Sequence, residues 1–191
     1  MHTHRLAAFL LGAWLVGTLL MMFVSSQNMR AVDRLLEGAN PPVVKLQDQV
    51  GGKIPIRQLL RYQMSEVNRF YAESWEYLGI ALAIVLGVVV LFATNGNIPS
   101  LILSGLLLLV VVTQRLFLTP EIIYLGRHLD FLAPDAVTTE RARFWNFQTA
   151  YAASELLKML LGLILGAKLV ARSASSRRSK RETIPEAGVA V

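Results

Sequence analysis

The chain has 191 residues, of which 54% are hydrophobic and 17% are charged, and its mean hydropathy is +0.48. Soluble domains of this size carry more charge, so the composition favours a membrane protein. The formal net charge is +6, and the stretch from Lys168 to Arg181 holds six basic residues and no acid. Because this excess lies beside an apolar stretch, we expect a basic tail and no nucleic-acid partner. The absence of cysteine excludes disulfides, thiolate metal sites, iron–sulfur clusters and cysteine nucleophiles.

Four stretches of the chain are apolar enough to form transmembrane helices. Residues 6–24, 77–94 and 98–114 carry no charge. Helices of this length, at about 1.5 Å per residue, roughly match the hydrocarbon core of a bilayer. Residues 148–170 form a fourth apolar stretch that contains an acid and a lysine, and a windowed hydropathy average still accepts it as a span.

These spans predict an all-α integral membrane four-helix bundle with helical extensions beyond the membrane on one side. The transmembrane domain covers residues 1–172, and a basic, disordered tail is expected over residues 173–191. Asn95, Gly96 and Asn97 form a turn-forming cluster between the second and third spans. We therefore expect these two spans to form a transmembrane hairpin.

The charged segment 27–74, between the first two spans, is predicted to be largely helical. Apolar residues keep helical spacing from the first span up to Gly38, and Pro41 and Pro42 then end that helix. From Pro55 onward, apolar residues recur every three or four positions as far as the second span. We therefore expect the first and second helices to extend beyond the membrane.

The second charged segment, 119–147, is predicted to be helical and to lie on the same side of the membrane. Thr119, Pro120 and Glu121 form the pattern of a helix cap, a first-turn proline and an early acid. Pro134 with Asp135 predicts a break before the last helix. An interfacial aromatic belt is expected near this side, formed by Tyr71, Trp75, Tyr77, Tyr124, Trp145 and Tyr151.

Two features of the sequence bear on the orientation of the protein in the membrane, and they favour opposite orientations. The basic tail favours cytoplasmic termini by the positive-inside rule, whereas eight arginines lie in the two longer, mixed-charge segments on the opposite side. We expect a multi-pass protein of the cell membrane with both termini cytoplasmic. A cleaved signal peptide is the alternative for residues 6–24, since Val24, Ser25 and Ser26 are small. Nineteen apolar residues nevertheless exceed the usual length of such a segment.

Five polar residues are predicted to meet inside the bundle: Glu76, Gln114, Arg115, Glu155 and Lys158. Lipid solvates charge poorly, so these groups should face other helices. Two acids and two bases make a neutral set, and Glu155 and Lys158 are close enough along a helix to pair. We expect a satisfied structural network. The alternative is a pathway in which Glu155 binds a proton, a cation or a cationic substrate.

Small residues recur at helical spacing in three of the predicted spans. Such residues allow two helices to approach closely within a membrane. The residues predicted to pack in this way are Ala13 and Gly17 in the first span, Gly79, Ala83 and Gly87 in the second, and Gly162 and Gly166 in the fourth.

The sequence contains no catalytic or metal-binding constellation. It has no Ser-His, HExxH, G-x-S-x-G or Walker-type motif, and no pair of intramembrane histidines that could hold haem. His2 and His4 are a weak candidate for copper or nickel at a flexible terminus, and His128 stands alone. We therefore expect no catalytic residue, no metal and no cofactor.

The expected partners are the lipid bilayer and, at the basic tail, anionic lipid headgroups, worth roughly 1 kcal/mol per nearby Lys or Arg. The expected function is that of a non-enzymatic bundle that works through its structure or through partners. The alternative is a small transporter or channel that uses Glu155. Four helices leave little room for a substrate cavity, so this alternative also calls for a homo-oligomer. An enzyme is a distant third, retained because membrane enzymes can act with a few carboxylates.

Three stretches carry a resemblance to a known family: RLAAFLLGAWLVGTLLMMFV in the first span, TQRLFLTPEI after the third, and FWNFQTAYAASELLKMLLGLILG in the fourth. In these stretches and in its layout the chain resembles a bacterial four-helix integral membrane family of unknown function with eukaryotic transmembrane relatives. The insertion from Gln27 to Ser74 and the uncharged turn at Asn95 to Asn97 depart from the family's pattern. The resemblance implies a compact four-helix membrane bundle with no established reaction and no catalytic residues.

Overall fold

The computed structural model describes residues 2–38, 41–130, 132 and 138–182, and gives side chains for residues 3–38, 41–130, 132 and 138–171. These residues contain only helices and the turns between them, so the prediction of an all-α fold is confirmed. The elements in chain order are α1 (His2–Glu37), α2 (Pro41–Gln49), α3 (Lys53–Ala93), α4 (Ile98–Thr113), a π-helical turn (Gln114–Leu118), α5 (Thr119–Leu129) and α6 (Thr139–Glu182).

Among the described residues, three helical stretches are long and apolar enough to cross a membrane. They are α1, α3 and the continuous stretch Ile98–Leu129, which joins α4, the π-helical turn and α5. At 1.5 Å per residue, α1 is about 54 Å long and α3 about 61 Å long, roughly twice the thickness of a hydrocarbon core. These lengths are consistent with a membrane protein whose helices extend beyond the bilayer.

Neighbouring long helices pack antiparallel. Trp14, early in α1, lies against Gly79, late in α3, whereas Asn28, late in α1, donates to Asn68, earlier in α3, at 2.8 Å. The main core contains buried apolar side chains of four helices: Ala7, Leu11, Trp14, Ala83, Leu86, Val90, Leu107, Val111, Leu165 and Leu169. A smaller cluster of Val32, Leu36 and Ile56 joins the far ends of α1 and α3.

The turn between α3 and α4 lies where the sequence predicts it. Asn95 and Gly96 adopt the left-handed backbone conformation, with φ of 49° and 76°, which asparagine and glycine tolerate better than most residues. The Asn97 side chain then accepts a hydrogen bond from the Ser100 N–H at 3.4 Å and caps α4. The turn-forming residues of this stretch therefore suffice to explain the hairpin.

Helix α5 begins at Thr119, with Pro120 and Glu121 in its first turn as predicted, but the prediction that Thr119 caps this helix is wrong. The chain passes from α4 through the π-helical turn into α5 without a break, and Leu118, the residue before Thr119, is itself helical. A proline within a helix donates no hydrogen bond, and the Pro120 ring crowds the carbonyl of Leu116, four residues earlier. The wider π-helical turn lies directly before Pro120, where it relieves this conflict within one continuous helix.

Part of the predicted tail is helical. Residues 173–182 continue α6 as far as Glu182, which contradicts the expectation of disorder from residue 173. Alanine, arginine and lysine in this stretch are strong helix formers, which favours continuation of the helix. Residues 183–191 lie outside the described residues, as does the predicted break at Pro134 and Asp135.

Helix α2 was not predicted. Pro41 and Pro42 were expected only to end a helix, but they also form the first turn of α2. Proline fits that position because the first N–H groups of a helix have no partner within the helix. Gly51 and Gly52, both with positive φ, then form the turn into α3.

The predicted small residues lie at helix contacts with one exception. Ala13 is exposed, because α1 turns Trp14 and Gly17 toward its neighbours instead. Ala83 is buried in the main core. The glycine contacts are Gly17 with Trp75, Gly79 with Trp14 and Val111, Gly87 with Ser104, Gly162 with Leu11 and Leu15, and Gly166 with Leu11.

Replacing Gly17 with alanine is expected to destabilise the bundle by about 1–3 kcal/mol, because the added methyl group overlaps the Trp75 ring. The higher helix propensity of alanine offsets about 1 kcal/mol of this loss. Gly12→Ala is the matched control, since an added Cβ at Gly12 has nothing within 4 Å. Thermal unfolding in detergent micelles measures both variants. A Gly17→Ala protein as stable as Gly12→Ala would contradict this packing.

Candidate functional site

A buried polar cluster, which we call the polar clamp, joins the π-helical turn to α6 through Gln114, Ser154, Glu155 and Lys158. Lys158 Nζ donates to Glu155 Oε1 at 2.7 Å, and Gln114 Nε2 donates to the same oxygen at 3.0 Å. Gln114 Nε2 also donates to Ser154 Oγ at 2.7 Å. Gln114, Glu155 and Lys158 are at most 6% exposed. The charge of Glu155 is therefore balanced inside the bundle.

The spacing of inward residues explains how Gln114 and Thr119 both reach the interior. The buried positions along the continuous helix follow at intervals of three or four up to Gln114, as in an α-helix: Ser100, Ser104, Leu107, Val111 and Gln114. The next buried position is Thr119, five residues later. That longer interval coincides with the π-helical turn, which adds one residue to the turn and brings Thr119 inward.

Glu76 reaches the same interior from α3. It is 2% exposed and accepts a hydrogen bond from Thr119 Oγ1. The Tyr151 hydroxyl of α6 interacts with both Glu76 and Glu155. Tyr151 thus links Glu76 to the polar clamp.

Arg115 does not join the clamp. Its Nη2 donates to the Tyr77 hydroxyl at 2.7 Å and lies 3.5 Å from Glu73 Oε1. Its guanidinium also lies 4.6 Å from the centre of the Tyr77 ring. Consecutive helical positions point about 100° apart, so when Gln114 faces α6, Arg115 faces α3. The structure thus brings together Gln114, Glu155 and Lys158 directly and Glu76 through Tyr151, and leaves Arg115 with other partners.

The helical pattern places Tyr151 on the same face as Glu155 and Lys158, whereas sequence reasoning did not assign Ser154 or Thr119 to the polar site. Tyr151 and Ser154 both carry a usable signal, because Tyr151 lies four residues before Glu155 and Ser154 lies four residues before Lys158. The sequence signal at Thr119 is misleading, since a threonine before a proline also fits a helix cap. Of the six residues of the predicted aromatic belt, Trp75, which packs on Gly17, and Tyr151 are half-buried, whereas the other four are exposed: Tyr71, Tyr77, Tyr124 and Trp145. Their position at a membrane interface stays a prediction.

Two buried carboxylate oxygens near the clamp, Glu76 Oε2 and Glu155 Oε2, have no hydrogen-bond partner among the described residues. Buried polar atoms in native proteins are nearly always paired. Each of these oxygens can therefore accept a further hydrogen bond. The oxygen of Glu155 is the more accessible to a ligand, because Glu155 also lines a cavity.

This interhelical cavity has a volume of about 570 Å³. It lies between residues 18–29 of α1, 65–75 of α3, 119–130 of the α5 region and 144–155 of α6. Each wall covers about ten helical steps, so the cavity is about 16 Å long. Small-molecule sites in proteins measure about 300–1,000 Å³, so the volume is that of a ligand site.

The two ends of the cavity are polar, and its sides are largely apolar. Thr18, Tyr151 and Glu155 line the inner end, and Arg69 and Asp130 line the outer end. The sides carry Met21, Met22, Ile122, Ile123, Leu129 and Phe144. This arrangement suits a molecule with an apolar body.

An ion cluster at the outer end joins α3 to α5. Arg69 contacts Glu66 and Asp130, each at 2.6 Å, and Arg127 holds both oxygens of Glu66 at 2.9 and 3.0 Å. The hydrogen bonds from Arg127, and then those from Arg69, lower the pKa of Glu66 from 4.5 to about 2. Glu66 lies about 16 Å before the apolar part of α3, so this cluster belongs to the charged extension.

No metal site is formed by the described residues, which contain no group of three or more His, Asp or Glu side chains arranged around a common point. His128 is exposed on α5, and its Nδ1 lies 2.9 Å from the Tyr124 carbonyl. His4 lies on α1, and the side chain of His2 is outside the described residues. The structure thus gives neither histidine prediction a ligand set.

No family model, curated protein or solved structure matches the chain. The resemblance to a bacterial four-helix membrane family therefore stays a prediction.

Acidification is expected to remove the stabilisation that Glu66 gives. A carboxylate whose pKa is depressed in the folded state stabilises the fold fully above its unfolded pKa, here 4.5, and loses that contribution as the pH falls toward about 2. The melting temperature of Glu66→Gln should therefore be lower than that of the parent protein at neutral pH, and the two should converge between about pH 4.5 and 2. Glu140→Gln, at an exposed position of α6, is the control. A gap that stays constant over this pH range would contradict the ion cluster.

Proposed function

We propose that the protein is a non-enzymatic integral membrane protein with four transmembrane helices, α6 supplying the fourth. The two faces of α6 support this proposal. Glu155 and Lys158 face other helices, whereas the exposed face within residues 148–170 carries Leu156, Leu157, Leu160, Leu163, Ile164 and Val170. A helix surrounded by lipid needs this distribution, because lipid solvates charged groups poorly.

On this proposal both termini lie on the cytoplasmic side of the cell membrane, together with the turn between α3 and α4. The ion cluster and the helical extensions lie on the opposite side. The basic residues from Lys168 to Arg181 support this orientation through the positive-inside rule. The same residues would suit anionic lipid headgroups as partners.

Lys158 and Gln114 both donate to Glu155 Oε1, and this observation supports the non-enzymatic interpretation. A buried carboxylate that is paired with a cation and hydrogen-bonded to an amide has its charge compensated in place. Gln114 and Glu155 belong to different helices, so their contact also fixes the register of α6 against the π-helical turn. We infer that the polar clamp holds the bundle together, a role that requires no substrate.

Lys158→Met is expected to destabilise the bundle by about 3–5 kcal/mol, because it leaves the Glu155 carboxylate buried without a cation. In the double variant Lys158→Met/Glu155→Gln, the loss should be smaller than the sum of the two single losses, since the charge that required a partner is gone. Thermal unfolding in detergent micelles measures the three variants.

Lys168→Met is the matched control for this experiment. Lys168 is an exposed lysine on the same helix, and its replacement should change the stability by less than about 0.5 kcal/mol. Strictly additive losses in the double variant would rule out the clamp, as would a Lys158→Met protein as stable as Lys168→Met.

A small transporter or channel is the second candidate, and one observation favours it. Glu155 lines the interhelical cavity, and its Oε2 has no partner among the described residues. A carboxylate in this position could take up a proton or a cation from the cavity. The cavity lies within one chain, so a homo-oligomer is not required to provide its volume.

This candidate predicts a proton-driven or cation-driven flux in proteoliposomes that Glu155→Gln abolishes. Single cysteines test access separately, since the chain has no native cysteine. Cysteines at Gln148 and Ala152, which line the cavity, should react with a membrane-impermeant maleimide, whereas one at Ala153, which does not, should be protected. Flux that survives Glu155→Gln would contradict a transport function that uses Glu155.

A further inference from the structure

We propose that the interhelical cavity binds an amphipathic molecule whose single positively charged, hydrogen-bond-donating head group contacts Glu155 and whose apolar body lies between α1 and α5. This inference rests on the proposed non-enzymatic membrane bundle and names the class of its partner. It does not require transport, because a molecule bound here needs no path through the bundle.

Glu155 lines the inner end of the cavity, and one of its two carboxylate oxygens has no hydrogen-bond partner among the described residues. Lys158 and Gln114 both contact Glu155 Oε1, and the single Tyr151 hydroxyl proton is shared between Glu76 and Glu155. Glu155 Oε2 therefore has no hydrogen-bond partner of its own among the described residues. Glu155 is 6% exposed and lines the cavity. A buried carboxylate oxygen without a partner favours a ligand that brings a hydrogen-bond donor. An ionised acceptor binds a charged donor more strongly than a neutral one.

The charges around this end favour a cation. Glu73, Glu76 and Glu155 are the acids at this depth, and Arg115 and Lys158 are the bases. Lys158 pairs with Glu155 and Arg115 with Glu73, so no cation contacts Glu76 directly among the described residues. The low dielectric of the interior strengthens the attraction of the Glu155 carboxylate for a cationic head group.

The outer end does not compete for that head group. Its two acids, Glu66 and Asp130, are paired with the two bases Arg69 and Arg127. Among the described residues, the ion cluster at the outer end is therefore neutral, and both of its carboxylates already have cations. A positively charged group that enters the cavity gains most by reaching Glu155.

The sides of the cavity suit an apolar body of variable shape. Met21, Met22 and Met29 line the α1 side, and Ile122, Ile123 and Leu129 line the α5 side. Methionine side chains are flexible and polarisable, so they adapt to ligands of different shapes. A length of about 16 Å accommodates an extended alkyl chain or a fused-ring body.

Three probes that differ only in their head group test the inference: dodecylamine, dodecanol and dodecanoate. The full-length protein is placed in nanodiscs of fixed lipid composition, and empty nanodiscs give the blank for partitioning into lipid. Intrinsic tryptophan fluorescence reports binding, because Trp75 lines the cavity. The Trp75→Phe variant identifies the part of the signal that comes from this residue.

Dodecylamine, protonated at neutral pH, is expected to give a saturable fluorescence change that disappears in Trp75→Phe. Its apparent affinity should exceed that of dodecanol and dodecanoate by about tenfold or more, and Glu155→Gln should reduce it by about tenfold. Glu121→Gln, which removes an acid paired with Arg143 on the outer surface, controls for the loss of a negative charge and should bind like the parent protein.

A second pair of variants keeps the test independent of Glu155. Ala152→Phe fills the cavity from an exposed position, so it should abolish the saturable response without lowering the melting temperature, whereas the neighbouring Ala153→Phe should retain the response.

Equal affinity for the three probes, a response that survives Ala152→Phe, or no saturable response would overturn the inference. A Lys158→Met protein of unchanged stability would count against the polar clamp alone, so the two proposals fail separately.

Discussion

The burial of the Glu155–Lys158 ion pair in an apolar interior constrains the rest of the bundle. Removing two charges from water costs several kcal/mol per ion, and only a close pair with further hydrogen bonds recovers that cost. The Gln114 amide, which bonds Glu155 at 3.0 Å, supplies such a bond from a second helix. Helix α6 must therefore keep one register and one rotation, and these also bring Gly162 and Gly166 against Leu11 of α1.

The π-helical turn determines which side chain of the continuous α4–α5 helix faces Glu76. An unbroken α-helix would place residue 118, a leucine, where Thr119 now lies, because its inward positions recur every three or four residues. The additional residue before Pro120 places a hydroxyl against Glu76 instead. The π-helical turn that accommodates Pro120 therefore also places a hydrogen-bond donor against a buried carboxylate. The same continuous helix carries Arg127 and Asp130 outward to the ion cluster.

Local patterns account for the fold and for part of the site. Apolar runs and turn residues suffice to predict an all-α chain, the hairpin at Asn95 to Asn97 and the extension of α1 and α3. The same patterns identify which polar residues lie near the interior, but they do not determine partners. Gln114 and Arg115 are adjacent in sequence yet face α6 and α3 respectively, and this division depends on the rotation of the whole helix. The cavity could not be predicted, because it arises from the separation of four walls that are distant in sequence.

The two oxygens of Glu155 reconcile a structural role with a binding role. Oε1 is shared by Lys158 and Gln114, and this contact is sufficient to hold α6 in place. Oε2 is left without a donor at the end of a cavity of about 570 Å³. A ligand that contacts Oε2 would therefore add a hydrogen bond without breaking the clamp, and the stability of the bundle would rise on binding. Because the neighbouring Glu76 has no direct cation among the described residues, the same position also favours a positively charged ligand over a neutral one.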